Sequence, residues 1–309
     1  MELSVPMEPV TNSNPLERLE APPMLYKPSS PVEVTVVENV RLTPEDYSEE
    51  IRHIVLDLKG TDYRYLEGQS MGVIAPGEDE RGKPHRVRLY SIASPAMGEP
   101  DNPSHVALCV KRVVFEEGQE TFYGLCSNYL CDVKPGDKVT ISGPNGKRFV
   151  MPRDPDVDLL LFAAGTGIAP FASLIREPEV YEKFEQVILT HTCREVGELQ
   201  YGKELIESIR SDEMLEELIG EGFHEKLRYY PTTTREESPR MGRITDLMRS
   251  GEGFADLGVV PLAPETDRAM VCGNLAFNLE IKQMLEEYGL REGANSDPGE
   301  YVVEKAFLD

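Results

Sequence analysis

An uninterrupted apolar run at residues 159–164, stopped by Gly165-Thr166-Gly167-Ile168-Ala169-Pro170, restricts the fold of this chain most. Apolar residues without alternation suit a strand covered on both faces, as in a parallel sheet. A glycine turn at the carboxyl end of such a strand is where open α/β sheets bind ligands. Glycines let the backbone come close, and N–H groups at a helix start attract phosphate. Further apolar runs at 187–192, 227–232 and 269–272 alternate with helical stretches, the clearest at 276–288 before Gly289. The second half is therefore expected to be a doubly wound α/β domain built on a parallel sheet.

Before Arg153-Asp154-Pro155 the rhythm differs. Short β-rich runs at 34–37, 51–58, 89–92, 105–115 and 138–142 are separated by Gly-, Pro- and Asp-rich turns, the pattern of an antiparallel barrel or sandwich. Residues 1–31 carry seven prolines and no apolar periodicity, and read as a flexible proline-rich extension. The expected organisation is an extension at 1–31, an antiparallel β-barrel domain at 32–153 and an α/β domain at 154–309.

Composition excludes several classes. No run approaches the roughly 18 apolar residues needed to span a bilayer, and no basic segment followed by an apolar stretch opens the chain. A cytoplasmic protein is expected. The five cysteines are scattered and odd in number, which fits a reducing compartment better than a disulfide framework. Cys126 and Cys131 have the first spacing of an iron–sulfur run, but Lys134 stands where a third ligand belongs. No metal site is expected. A net charge of −23 argues against a nucleic-acid partner, which needs a cationic face. It fits an acidic, aggregation-resistant surface, with a high-salt cytoplasm as the sharper alternative.

In the barrel half, Arg88-Leu89-Tyr90-Ser91 combines a guanidinium suited to a diphosphate, an aromatic ring and a hydroxyl that donates and accepts. Alternation places Arg88 with Tyr90 on one face and Leu89 with Ser91 on the other. A half-exposed structural strand accounts for these residues as well.

Taken in series, Arg88-Leu89-Tyr90-Ser91 and Gly165-Thr166-Gly167-Ile168-Ala169-Pro170-Phe171 resemble the ferredoxin–NADP reductase family. The likeness runs on through Leu108-Cys109-Val110-Lys111-Arg112, Cys126-Ser127-Asn128-Tyr129-Leu130, Val271-Cys272-Gly273 and Val303-Glu304. The barrel half looks most like the chloroplast branch. The α/β half looks most like bacterial members, notably in Thr232-Thr233-Thr234-Arg235-Glu236 and Glu292-Gly293-Ala294-Asn295-Ser296.

The resemblance implies an FAD- and NADP(H)-dependent oxidoreductase that exchanges electrons with ferredoxin or flavodoxin. Arg88, Leu89, Tyr90 and Ser91 would hold FAD, while Cys109 and Lys111, with Val110 between them, would line the flavin and the approach of the NADP pyrophosphate. Leu125, Cys126 and Ser127 would supply a second loop to its phosphates. Phe115 stands where the chloroplast branch stacks a tyrosine on the adenine. Thr166 and Gly167 would meet the nicotinamide or its pyrophosphate, and Arg194 the adenosine end. Thr234, Arg235 and Arg243 match a pocket for the 2′-phosphate. Ser91, Cys272 and Glu304 match the residues around the reacting ring atoms. Ala306 replaces the terminal tyrosine of the chloroplast branch, with Phe307 after it. A basic rim of Arg81, Lys83, Arg86 and Arg112 would steer an acidic carrier. The competing expectations are a flavin-bearing subunit of a larger complex and an NADH-dependent oxygenase reductase. The first would bring extra cysteines, and the second an acidic group in place of Arg235 and Arg243.

Overall fold

The computed structural model describes residues 23–117, 120–146, 154–293 and 298–304. Ala306 and Phe307, the Ala294-Asn295-Ser296 stretch and the junction at 153 lie outside these residues.

The first half is a six-stranded antiparallel sheet. Its strands are β1 (Val32–Arg41), β2 (Ile51–Asp57), β3 (Ser70–Ile74), β4 (Arg88–Ser91), β5 (His105–Lys111) and, after the hairpin and helix given next, β8 (Lys138–Asn145), in the order β4-β3-β8-β1-β2-β5. The two edges meet: Ile92, just past β4, bridges Leu108 of β5, and Ala93 N–H donates to Ala107 O at 2.9 Å. Closing the edges removes unpaired backbone groups and makes the sheet a barrel. Its interior holds Val34, Val36, Ile54, Leu56, Met71, Val106, Leu108, Val110 and Ile141.

The expected run at 105–115 breaks after Lys111. β6 (Val114–Glu117) leaves the barrel and pairs only with β7 (Glu120–Tyr123), in an exposed hairpin that leads into helix α1 (Leu125–Asp132). Continuous β-propensity hides such a departure, because leaving one sheet for another changes the partner and not the local conformation.

The second half is a five-stranded parallel sheet of β9 (Asp158–Ala164), β10 (Val187–Cys193), β11 (Leu227–Thr233), β12 (Asp267–Cys272) and β13 (Tyr301–Val303), in the order β11-β10-β9-β12-β13. Along central β9 the side chains alternate. Leu159, Leu161 and Ala163 join one apolar layer, and Leu160 and Phe162 the other. Both faces are covered by helices, including α2 (Ala169–Leu174), α3 (Pro178–Lys183), α4 (Gln200–Arg210), α5 (Glu213–Ile219), α6 (Ile244–Arg249), α7 (Glu252–Leu257) and α8 (Leu275–Glu287). Helix α8 starts under an Asn274 cap, whose side chain accepts from Phe277 N–H at 3.0 Å, and stops before Gly289 at φ +87°. Among the described residues no helix is long and apolar enough to cross a membrane.

The halves share a core. Ile51, Val55, Ala93, Ala107 and Cys109, on the outer face of the barrel, join the apolar layer of Leu159, Leu161 and Phe171. Strand β5 thus serves both sides by period-two alternation, with Val106, Leu108 and Val110 inward and Ala107 and Cys109 toward the second sheet. A buried ion pair crosses the same seam: Arg176 Nη1 donates to Glu99 Oε2 at 2.8 Å and Nη2 to Ala93 O at 3.3 Å.

Tyr26, expected in a flexible extension, is pinned to the barrel. Its backbone exchanges hydrogen bonds with Gly143, its ring stacks on Tyr63 at 6.1 Å, and its hydroxyl accepts from Asp62 N–H at 3.0 Å. Proline content marks a poor helix or strand former but says nothing of docking. Tyr26→Ala is expected to cost about 1–2 kcal/mol, a stacked pair plus one hydrogen bond. An unshifted urea midpoint would mean that the docked ring contributes nothing.

Candidate functional site

A cleft of about 1580 Å³ lies between the halves, at the carboxyl ends of β9, β10 and β12. Ligands of open α/β sheets bind at this end. The barrel wall carries Arg88, Leu89, Tyr90, Ser91, Cys109, Lys111, Phe115, Leu125, Cys126 and Ser127. The opposite wall carries Thr166, Gly167, Arg194, Thr234, Arg235 and Arg243. Segments separated in sequence by whole elements thus converge on one cleft.

The glycine turn is built for close approach. Gly165 has φ +54°, and a Cβ on Gly167 would lie 2.2 Å from Cys272 O, so only glycine fits there. His191 on β10 holds the turn from behind. Gly165 O can only accept, so the 2.9 Å contact assigns the proton to Nε2, and Tyr229 Oη then donates to Nδ1 at 3.0 Å. Burial pushes this imidazole down to about 4, so it stays neutral. Sequence reading missed His191, although a lone histidine inside an apolar strand was the available signal. Asn274, Ala276 and Phe277 at the start of α8 complete this wall.

The adenosine-side loop is stitched by backbone bonds. Thr234 N–H donates to Cys193 O at 3.0 Å, and Arg235 N–H to Arg194 O at 2.9 Å. Arg235 is exposed, with no ion-pair partner among the described residues, while Arg243 pairs with Glu280 of α8. Arg194 pairs with Glu49 of the barrel half. Two arginines and a threonine hydroxyl at one rim suit a phosphomonoester.

Three buried groups meet at the cleft wall: Ser91 lines the cleft, and Cys272 and Glu304 lie behind it. Ser91 Oγ donates to Glu304 Oε1 at 2.9 Å, and Cys272 Sγ donates to Glu304 Oε2 at 3.1 Å. Ser91 comes from the barrel, Cys272 ends β12, and Glu304 follows β13, where its N–H donates to Val271 O at 2.9 Å. Burial pushes the Glu304 carboxyl up, while bonds from Cys272 and Ser91 pull it partly back. Burial and the adjacent carboxylate push the Cys272 thiol well up, so it is a thiol donor rather than a thiolate.

The raised Glu304 has a consequence for stability. The folded chain keeps this proton over a pH window in which the unfolded chain has lost it, so stability falls as pH rises from the ordinary carboxylate pKa through the raised folded value. Glu304→Gln has no proton to lose there. Its urea midpoint is expected to fall less than that of the parent as pH rises above the ordinary carboxylate range. Equal slopes would place the titration elsewhere.

Two expected residues are not where the motifs suggested. Val110 is 1% exposed and packs in the barrel core, so only its backbone can face a ligand. Strand alternation turns it away from Cys109 and Lys111. Arg112 is not a free rim cation. It bonds Glu50 and Asp132, each at 2.7 Å, and Asn128 at 2.9 Å. The two carboxylates offset its charge, and the three bonds tie the start of β2 to α1. Arg81, Lys83 and Arg86 are exposed and form no ion pair among the described residues, although the backbone N–H groups of Arg81 and Lys83 donate to Asp79 at 2.9 and 3.0 Å.

Tyr90 lies against Cys126 beneath the cleft, and burial pushes its phenol up. Phe115 stacks on Phe122 at 5.3 Å in the exposed hairpin. A guanidinium (Arg88), an aromatic phenol, a paired aromatic hairpin and an adjoining glycine turn make a donor set that fits two dinucleotides laid side by side.

The comparisons agree with this architecture. An oxidoreductase FAD-binding domain family matches residues 40–149. Flavodoxin/ferredoxin–NADP reductase of Rhodobacter capsulatus is 50% identical over 231 residues, 74% of this chain and 79% of that protein. Ferredoxin–NADP reductase of a Spirulina species is 34% identical over 290 residues, 93% of either chain. Among solved structures, a ferredoxin NADP+ reductase from Neisseria gonorrhoeae with bound FAD and NADP shares the fold, with a TM-score of 0.69 at 22% identity, over 90% of this chain and 99% of that one. With half of 231 aligned residues identical to one such reductase and 93% of its length aligned to another, the chain belongs to the ferredoxin–NADP reductase family.

Proposed function

We propose that the chain is an FAD-dependent reductase that exchanges electrons between NADP(H) and ferredoxin or flavodoxin. Residues 32–153 form the flavin half and 154–309 the dinucleotide half. The observation that carries this is the meeting of Ser91, which lines a cleft with an arginine-bearing rim, with Cys272 and Glu304 buried behind it, the three drawn from both halves. Bound FAD supplies the chemistry that joins a two-electron hydride donor to a one-electron carrier.

Arg88 holds the diphosphate, Tyr90 covers a ring face, Cys126 and Ser127 add to the phosphate side, and the Phe115–Phe122 pair offers an aromatic face to the adenine. Gly167 lets the nicotinamide approach without a side chain between, with Thr166 beside it. Glu304 orients the Ser91 hydroxyl and the Cys272 thiol toward the reacting edges and can hold or release a proton at its buried carboxyl. Arg235 and Arg243 select a 2′-phosphate, which favours NADPH over NADH and disfavours an NADH-linked oxygenase reductase. Arg81, Lys83 and Arg86 give a local basic rim within an otherwise acidic surface, suited to steering an acidic carrier.

The test is reduction of ferricyanide by the purified yellow protein with NADPH and NADH in parallel, then ferredoxin-dependent cytochrome c reduction. NADPH preference with ferredoxin-stimulated turnover is expected. A colourless protein, or one that prefers NADH and ignores ferredoxin, overturns the proposal.

A further inference from the structure

We infer that Glu49, a carboxylate of the barrel half, sets how tightly the cleft holds NADP(H) by competing with its phosphates for Lys111 and Arg194. This rests on the reading that these two cations face the dinucleotide.

Glu49 Oε2 accepts from Lys111 Nζ at 2.7 Å, and its Oε1 pairs with Arg194 Nη1. Lys111 ends β5 of the barrel, whereas Arg194 follows β10 of the parallel sheet, so one carboxylate holds a cation from each half. All three groups line the cleft. The Glu49 side chain is 16% exposed, so water and salt weaken its Coulomb pull far less than at an open surface. Glu198 lies in the same wall, 6% exposed, and its Oε1 has no hydrogen-bond partner. Burial pushes the Glu198 carboxyl up, so the carboxylate that meets both cations where phosphates would bind is Glu49.

The carboxylate is braced. Within the preceding loop, Arg41 donates to Thr43 O at 2.9 Å and to Pro44 O at 2.8 Å. Tyr47 Oη donates to Glu236 Oε2 at 3.2 Å, and that oxygen also accepts from Val196 N–H at 2.7 Å. Gly197 leaves room for the Tyr47 ring, since a Cβ there would lie 2.7 Å from it. The loop is thus clamped on the segment that carries Arg194 and on the one that carries Arg235. A carboxylate held in this way competes without first being ordered, and an arriving phosphate must displace it from both cations. Such competition weakens binding and hastens release of the oxidised dinucleotide.

The experiment titrates the FAD-loaded protein with NADP+, reading perturbation of the flavin absorption at low and high salt, for the parent, Glu49→Gln and Glu49→Asp. In Glu49→Gln the Kd for NADP+ is expected to fall by about fivefold or more at low salt, with a steeper salt dependence. Glu49→Asp keeps the charge and is expected to return at least halfway to the parent. An unchanged or weaker Kd in Glu49→Gln overturns the inference, as do equal shifts in both variants, which would make Glu49 a mere brace. A parent protein that NADP+ does not perturb removes the underlying reading as well. A parent that binds while Glu49→Gln fails to tighten removes only the role of Glu49.

Discussion

Glu304→Gln is expected to slow reduction of ferricyanide by NADPH by about 10²-fold, the usual loss when a positioned proton-transfer group is removed. Both carboxyl oxygens are engaged, one by the Ser91 hydroxyl and one by the Cys272 thiol. An amide keeps the size and loses two things. One of its two terminal atoms can no longer accept, so either Ser91 or Cys272 loses its acceptor, and neither form can take or give a proton at this place. Burial already pushes the acid toward the working pH, where a carboxyl transfers protons most effectively. Stopped-flow reduction across a pH series separates the parts. A lower plateau with the pH inflection gone is the expected pattern. A rate within twofold of the parent at every pH would limit Glu304 to packing.

The second large effect concerns the rim. Arg235→Ala is expected to raise the KM for NADPH by about 30-fold, roughly 2 kcal/mol, while the KM for NADH moves by less than about twofold. Arg235 is exposed and without an ion-pair partner among the described residues, so its full charge is available to a phosphomonoester. Arg243→Ala is expected to cost less, since Glu280 already shares that guanidinium. Equal losses with NADPH and NADH would show that Arg235 shapes the loop rather than reads the 2′-phosphate.

Both predictions concern residues that sequence motifs nominated, and their arrangement is instructive. Helix α8 was legible to within one residue, because a period of 3.6, an Asn cap and a terminal glycine are all local signals. The β9 run and its glycine turn were legible for the same reason. Short β3 was missed, as was β7 in the exposed hairpin and three-residue β13, because their patterns are too brief or too polar to stand out. Arg112 and Val110 show the opposite failure. A motif names the residue but not its direction, and one step along a strand turns Val110 inward. Glu50, just before β2, and Asp132 of α1 offset the charge of Arg112, and Asn128 takes a further N–H.

The chain's own sequence determined an antiparallel β half followed by a parallel sheet, a phosphate-friendly turn at residues 165–167 and an arginine-bearing loop at 234–243, because each depends on residues a few positions apart. Only the tertiary structure decided that Ser91 and Glu304, 213 positions apart, share a hydrogen bond. It likewise decided that His191 holds the glycine turn, and that Glu49 joins a cation from each half. Those contacts arise when closure of the barrel and stacking of the sheet bring distant segments together. No local preference encodes them, since each side chain alone is compatible with solvent and acquires its role from the partner that packing places beside it.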